Sequence, residues 1–68
     1  MIKWTKLDSG EYESKDERFH IERKYVRGEG NIWILTDTDI DDYFKSMFHE
    51  KTLLDCKMRA EDLLEGKM

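Results

Sequence analysis

The sequence predicts an α+β fold: a three- to four-stranded antiparallel sheet with one C-terminal helix packed on one face. Three observations predict it. Residues 18–26, from Arg18 and Phe19 to Tyr25 and Val26, alternate with the period of a strand. Residues 32–36 form a continuous apolar run behind a glycine-rich turn, as a central strand entered through a hairpin does. Residues 53–65 change period, setting Leu53, Cys56, Ala60, Leu63 and Leu64 within one helical arc about 100° wide.

The elements follow in chain order. Asp8-Ser9-Gly10 is the first turn signal. Glu11-Tyr12-Glu13-Ser14 suits a short edge strand over 11–14. In the strand over 18–26, Phe19, Ile21 and Tyr25 share one face, which Arg23 interrupts. His20, Glu22 and Lys24 share the other. Arg27-Gly28-Glu29-Gly30-Asn31 supplies a hairpin loop of about four or five residues, rich in types that tolerate positive φ. Residues 37–42, Asp-Thr-Asp-Ile-Asp-Asp, read as an acidic loop. Residues 43–48 fit a fourth strand with Phe44, Ser46 and Phe48 on one face, or a helical turn leading onward; the extended form is preferred. Thr52 is placed to cap the helix, with Asp55 at the capping-box position. Gly66 ends it, leaving Lys67 and Met68 frayed. Tyr12, Phe19, Ile21, Trp33, Leu35, Phe48 and the helix stripe form the expected core.

Composition bounds the rest. A chain of 68 residues is expected to form a single domain over 1–68, near the lower size limit for a self-sufficient core. A charged fraction of 41% would allow disorder, but 12% aromatic residues argue for burial. One cysteine excludes an internal disulfide framework and fits a reducing, cytoplasmic setting. No apolar run reaches the roughly 18 residues of a membrane span, and Met1–Lys6 has no signal-peptide core. The net charge of −4 lacks the basic footprint of a nucleic-acid binder.

Trp4, Gly10-Glu11-Tyr12-Glu13-Ser14, Asp16-Glu17-Arg18-Phe19, Ile21, Trp33-Ile34-Leu35-Thr36-Asp37 and Thr52-Leu53-Leu54-Asp55-Cys56-Lys57 stand in a familiar order. Over most of its length the chain resembles small uncharacterised proteins of bacteriophages and prophages. Those often carry glycine where this chain has Glu17, and alanine where it has Cys56. The resemblance implies a protein of a mobile element or its host, a class that often binds or inhibits host machinery. The order of elements is also similar to the three-strands-plus-helix domains with which tyrosine recombinases grip arm-type DNA, though those modules are usually basic.

Reactive constellations are sparse. Cys56 lies on the apolar stripe, where a cysteine is a small inert hydrophobe. Neither His20 nor His49 has a spacing that ties it to Cys56. His49 precedes the helix, where it can help position the start. Asp37-Thr38-Asp39-Ile40-Asp41 opens like a calcium loop, but Asp42 stands where glycine belongs and Phe48 where the bidentate Glu belongs. Gly28-Glu29-Gly30 lacks the third glycine and the helix of a phosphate cradle. No catalytic, cofactor or metal residue is assigned, and no small-molecule substrate or cofactor is expected.

Interaction is the remaining class. Ile32 and Ile34 face away from the helix if Trp33 and Leu35 face it, unless Ile2 and Trp4 cover them. Leu54 and Met58 fall outside the core arc, among Glu61 and Glu65. Ile32, Ile34, Leu54, Met58 and Glu61 are therefore the expected contacts for a protein partner or a second copy in a homodimer. The alternative is a DNA accessory module gripping through Arg18, Lys24 and Arg27 on the hairpin.

Overall fold

The computed structural model describes residues 1–66, so the fray expected of Lys67 and Met68 lies outside the described residues. Five strands precede the helix: β1 (Trp4–Asp8), β2 (Glu11–Ser14), β3 (Phe19–Val26), β4 (Gly30–Asp37), β5 (Met47–Glu50) and α1 (Leu53–Leu64). They form one antiparallel sheet in the order β1-β2-β3-β4-β5, a meander in which every strand pairs with its sequence neighbour.

The class is as the sequence predicts; the strand count is corrected from three or four to five. The residues before the Asp8-Ser9-Gly10 turn form β1, joined to β2 through Ser9-Gly10, with the pairing irregular at Leu7. The last strand begins at Met47, not at residue 43. Tyr43–Ser46 are turns. The β3–β4 loop is shorter than expected, because Val26 pairs with Gly30 and the Glu29 amide donates to the Val26 carbonyl at 3.0 Å. Asp37 closes β4 and does not open the acidic loop.

Register assigns the faces. On the helix side, Tyr12, Ile21, Leu35 and Phe48 form one cross-strand row and Arg23, Trp33 and Glu50 another. On the far side, Thr5, Glu13, His20, Thr36 and Met47 form a row beside Glu11, Glu22, Ile34 and His49. α1 crosses β3, β4 and β5. Phe19, Ile21, Leu35, Cys56 and Ala60 are fully buried between them. Tyr12, Trp33, Phe48, Leu53 and Leu63 pack around that centre while staying half-buried. Leu64, which the helical arc placed in the core, is 45% exposed near the C-terminal end of α1. Ile2 and Trp4 join the helix-side core, with the Trp4 ring 6.4 Å from Phe19, and so leave Ile32 and Ile34 uncovered.

Cations extend this small core. Lys57 lies 5.3 Å from the Tyr12 ring centroid, Arg59 5.3 Å from Phe48, Arg23 5.9 Å from Trp33 and Arg18 4.7 Å from Phe19. Each lays an apolar stem and a cation on an aromatic ring that a single helix cannot cover alone.

The helix ends follow local chemistry. Thr52 is extended, and its hydroxyl accepts from the Asp55 amide at 3.0 Å. Gly66 takes φ +77 and donates to the Leu63 carbonyl, closing the C-terminus. Glu17 takes φ +66 with no glycine's freedom, yet the turn closes, its amide donating to the Ser14 carbonyl at 2.8 Å.

Candidate functional site: the exposed apolar groups and the clamp that positions them

One end of the sheet is tied together by polar groups. The buried Ser14 hydroxyl donates to Asp16 at 2.6 Å and accepts from the Phe19 amide at 2.9 Å. Asp16 also accepts from the Arg18 amide at 3.2 Å. The Ser14 hydroxyl, then that amide, holds the Asp16 carboxyl below the usual carboxylate range. The Arg18 guanidinium reaches across the β3–β4 pair to Asp37, with Nε at 3.0 Å from Oδ1 and Nη2 at 3.1 Å from Oδ2. Asp37 is 1% exposed and also accepts from the Asp39 amide at 3.0 Å. The bond to Asp37 raises the Arg18 pKa above its ordinary value.

This clamp reaches the turn between β4 and β5. The Asp37 amide donates to the Ser46 carbonyl at 2.9 Å. Asp42 Oδ1 accepts from the amides of Phe44 and Lys45 at 3.0 and 3.2 Å. The Ser46 amide returns to the Asp42 carbonyl, and its hydroxyl donates to the Tyr43 carbonyl at 2.7 Å. The turn is thus fixed by its own polar groups, while Tyr43 and Phe44 stand 66% and 85% exposed. Their rings meet edge to face, with centroids 5.4 Å apart. Sequence reasoning placed Phe44 on an inward strand face and missed this pair. The signal for it was Asp42 followed by Ser46, both of which satisfy backbone groups in turns.

The residues singled out from sequence fall in three places. Ile32 and Ile34 lie on the uncovered sheet face, half-buried among Glu22, Lys24 and His49. Leu54 and Met58 point out from α1, 65% and 57% exposed. With Met1, Ile2, Trp4 and Lys57 they line a groove between the helix and the start of the chain. Glu61 closes that groove by accepting the Ile2 amide at 2.7 Å. Of the three cations assigned to DNA, Arg18 is committed to Asp37, whereas Lys24 and Arg27 are exposed.

The groups weighed for chemistry are also placed. Burial pushes the Cys56 thiol up to about 12, with the Glu50 and Asp55 carboxylates adding to the rise. It therefore stays protonated at neutral pH and is a poor nucleophile. His49 lies in β5, exposed and opposite Ile34, so Thr52 alone caps the helix start. His20 stands 3.8 Å from Glu11 on the same uncovered face. Among the described residues, no group of His, Cys, Asp and Glu is placed to hold a metal ion. The Asp37–Asp42 segment spends Asp37 on Arg18 and Asp42 on the turn. No helix among the described residues is long and apolar enough to cross a membrane. Comparison with protein-family models, curated proteins and solved structures finds no match.

Proposed function

We propose that this chain is a small non-enzymatic protein of phage or prophage type that acts in the cytosol by protein–protein interaction. Inhibition of a host defence or nucleic-acid enzyme is the role this implies. The supporting observation is the placement of its large apolar side chains. Among the described residues five hydrophobic side chains are fully buried, yet Tyr43, Phe44, Leu54 and Met58 are each more than half exposed. Exposed aromatic and methionine side chains on fixed backbone are the usual anchors of protein interfaces. The protonated Cys56 thiol adds no nucleophile to set against this reading.

The test compares the wild-type chain with two double variants, Tyr43→Ser/Phe44→Ser and Leu54→Ser/Met58→Ser. Light scattering reports self-association, and affinity capture followed by reconstitution with the purified captured protein reports a foreign partner. A partner that binds the wild-type chain and loses affinity for either variant supports the proposal. A strict monomer with no reconstitutable partner overturns it. A low-salt gel shift that depends on Lys24 and Arg27 would favour the DNA module instead.

A further inference from the structure

Towards the β3–β4 hairpin the helix side of the sheet is left open, because α1 rests on β3, β4 and β5 and not on β1 or β2. Three aromatic rings and three cations share this surface. Tyr25 is exposed and lies two residues beyond Arg23 on β3, about 7 Å along the same face. Arg23 pairs with Trp33, and its guanidinium stands 5.9 Å from that ring. The Trp33 ring is 6.4 Å from Tyr12. Lys6 pairs with Tyr12, and Lys57 stands 5.3 Å from the Tyr12 ring. Tyr12 and Trp33 are half-buried beneath these cations. Arg23 is held by neutral groups. Its amide donates to the Gly10 carbonyl at 2.7 Å, and a Cβ on Gly10 would stand 3.0 Å from the Arg23 Cβ. Among the described residues, Arg23, Lys6 and Lys57 have no carboxylate partner.

We infer that this face binds single-stranded nucleic acid. Bases stack on the Tyr25 ring and on the Arg23–Trp33 pair, and phosphates meet Arg23, Lys6 and Lys57. The inference goes beyond the protein-interaction reading and uses none of the exposed residues Tyr43, Phe44, Leu54 and Met58 that support it.

Charge and ring chemistry together select this ligand. A positioned guanidinium without a carboxylate suits a phosphate and offers its own plane for stacking. An exposed ring stacks any base whose face is free, which a single strand presents and a duplex hides. An acidic peptide would meet the cations but leave the rings without a stacking partner. The net charge of −4 is gathered away from this surface. Glu11, Glu13 and Glu22 lie on the far face, and the acidic segment 37–42 follows the other end of β4. At the margin of the site Glu50 is paired with Arg59, Asp8 accepts the Ser9 amide and Glu61 accepts the Ile2 amide. Arg27 and Glu29, both exposed at the hairpin tip, offset one another.

Fluorescence anisotropy of an end-labelled single-stranded oligothymidylate, titrated with the protein at low salt, tests the inference. Binding at micromolar protein is expected, with quenching of tryptophan emission as Trp33 is covered. Three phosphate contacts give a salt slope near −2 for a single strand, so a fourfold rise in salt should weaken binding roughly twentyfold. Arg23→Met and Tyr25→Ser should each weaken it roughly tenfold. Both positions are exposed, so circular dichroism should stay as in the wild type. Lys24→Met/Arg27→Met should change affinity far less, and Tyr43→Ser/Phe44→Ser should leave it unchanged. Absence of binding at micromolar protein overturns the inference. Binding that Arg23→Met and Tyr25→Ser spare and Lys24→Met/Arg27→Met abolishes overturns it too, moving the contact to the hairpin's other cations. Equal affinity for polyglutamate or for a duplex of the same length would show charge attraction without stacking and also overturn it. Each of these failures leaves the protein-interaction reading standing, because that reading rests on other residues.

Discussion

Replacing Asp37 by alanine removes the acceptor on which one end of the sheet converges. The carboxylate takes two bonds from the Arg18 guanidinium, at 3.0 and 3.1 Å, and one from the Asp39 amide at 3.0 Å. Breaking a fully buried ion pair costs about 3–5 kcal/mol. Asp37 meets that condition at 1% exposure, but the Arg18 side chain is 23% exposed and keeps Asp39 as a second partner, with Nε 3.3 Å from Oδ2. The exposed Asp39 amide rehydrates. The expected loss is therefore about 2–3 kcal/mol. A chain of 68 residues has a total stability of roughly 3–10 kcal/mol, so this is a large share of it. The corresponding fall in Tm is about 10–20 °C. Urea denaturation followed by Trp4 and Trp33 fluorescence measures it. Arg18→Met completes a double-mutant cycle, with an expected coupling of about 1–2 kcal/mol. A loss below about 0.5 kcal/mol for Asp37→Ala, or additive single variants, would refute the clamp as a stabilising unit.

Other outcomes follow from the same geometry. Glu17 sits at φ +66, so Glu17→Gly should relieve backbone strain and raise stability by about 0.5–1 kcal/mol, read as a small increase in Tm. Thr52→Ala should cost about 1 kcal/mol in denaturant by removing the acceptor of the Asp55 amide. The Cys56 thiol, raised to about 12, should ignore a thiol reagent at pH 8 and react only in denaturant; rapid native labelling would contradict its burial. The Asp16 carboxyl is held below its ordinary value of 3.8, so its contribution is present above that pH and disappears as pH falls through the folded value. The stability difference between wild type and Asp16→Asn should accordingly vanish in strong acid, and a constant difference would show that ionisation is not its source.

Periodicity made most of the sheet and helix legible. Phe19, Ile21, Leu35, Cys56 and Ala60 were all placed in the core, because burial is repeated at the strand or helix period. β1 was missed although its turn was seen. Lys6 and Asp8 give Trp4–Asp8 the composition of a solvated edge, and only pairing with β2 makes it a strand. The exposed Tyr43–Phe44 pair ran against the expectation that aromatics in a small chain go inside. The Arg18–Asp37 bond joins residues 19 apart with no local signature. The sequence showed two charges, but only the β3–β4 register reveals that they meet. The surplus of apolar groups was legible; the exposed Tyr43–Phe44 pair within it was not.

The unbroken meander also bears on how the chain finds its fold. Each strand can close against the one just made, so most of the sheet forms by short loop closures, which favours rapid folding. The contact between the Ile2 amide and Glu61 spans 59 positions and can close only after the intervening chain is in place. Its closure therefore costs more chain entropy than any pairing of neighbouring strands. The groove needs this contact, so recognition through it would select chains whose start has docked on α1 over partly folded ones.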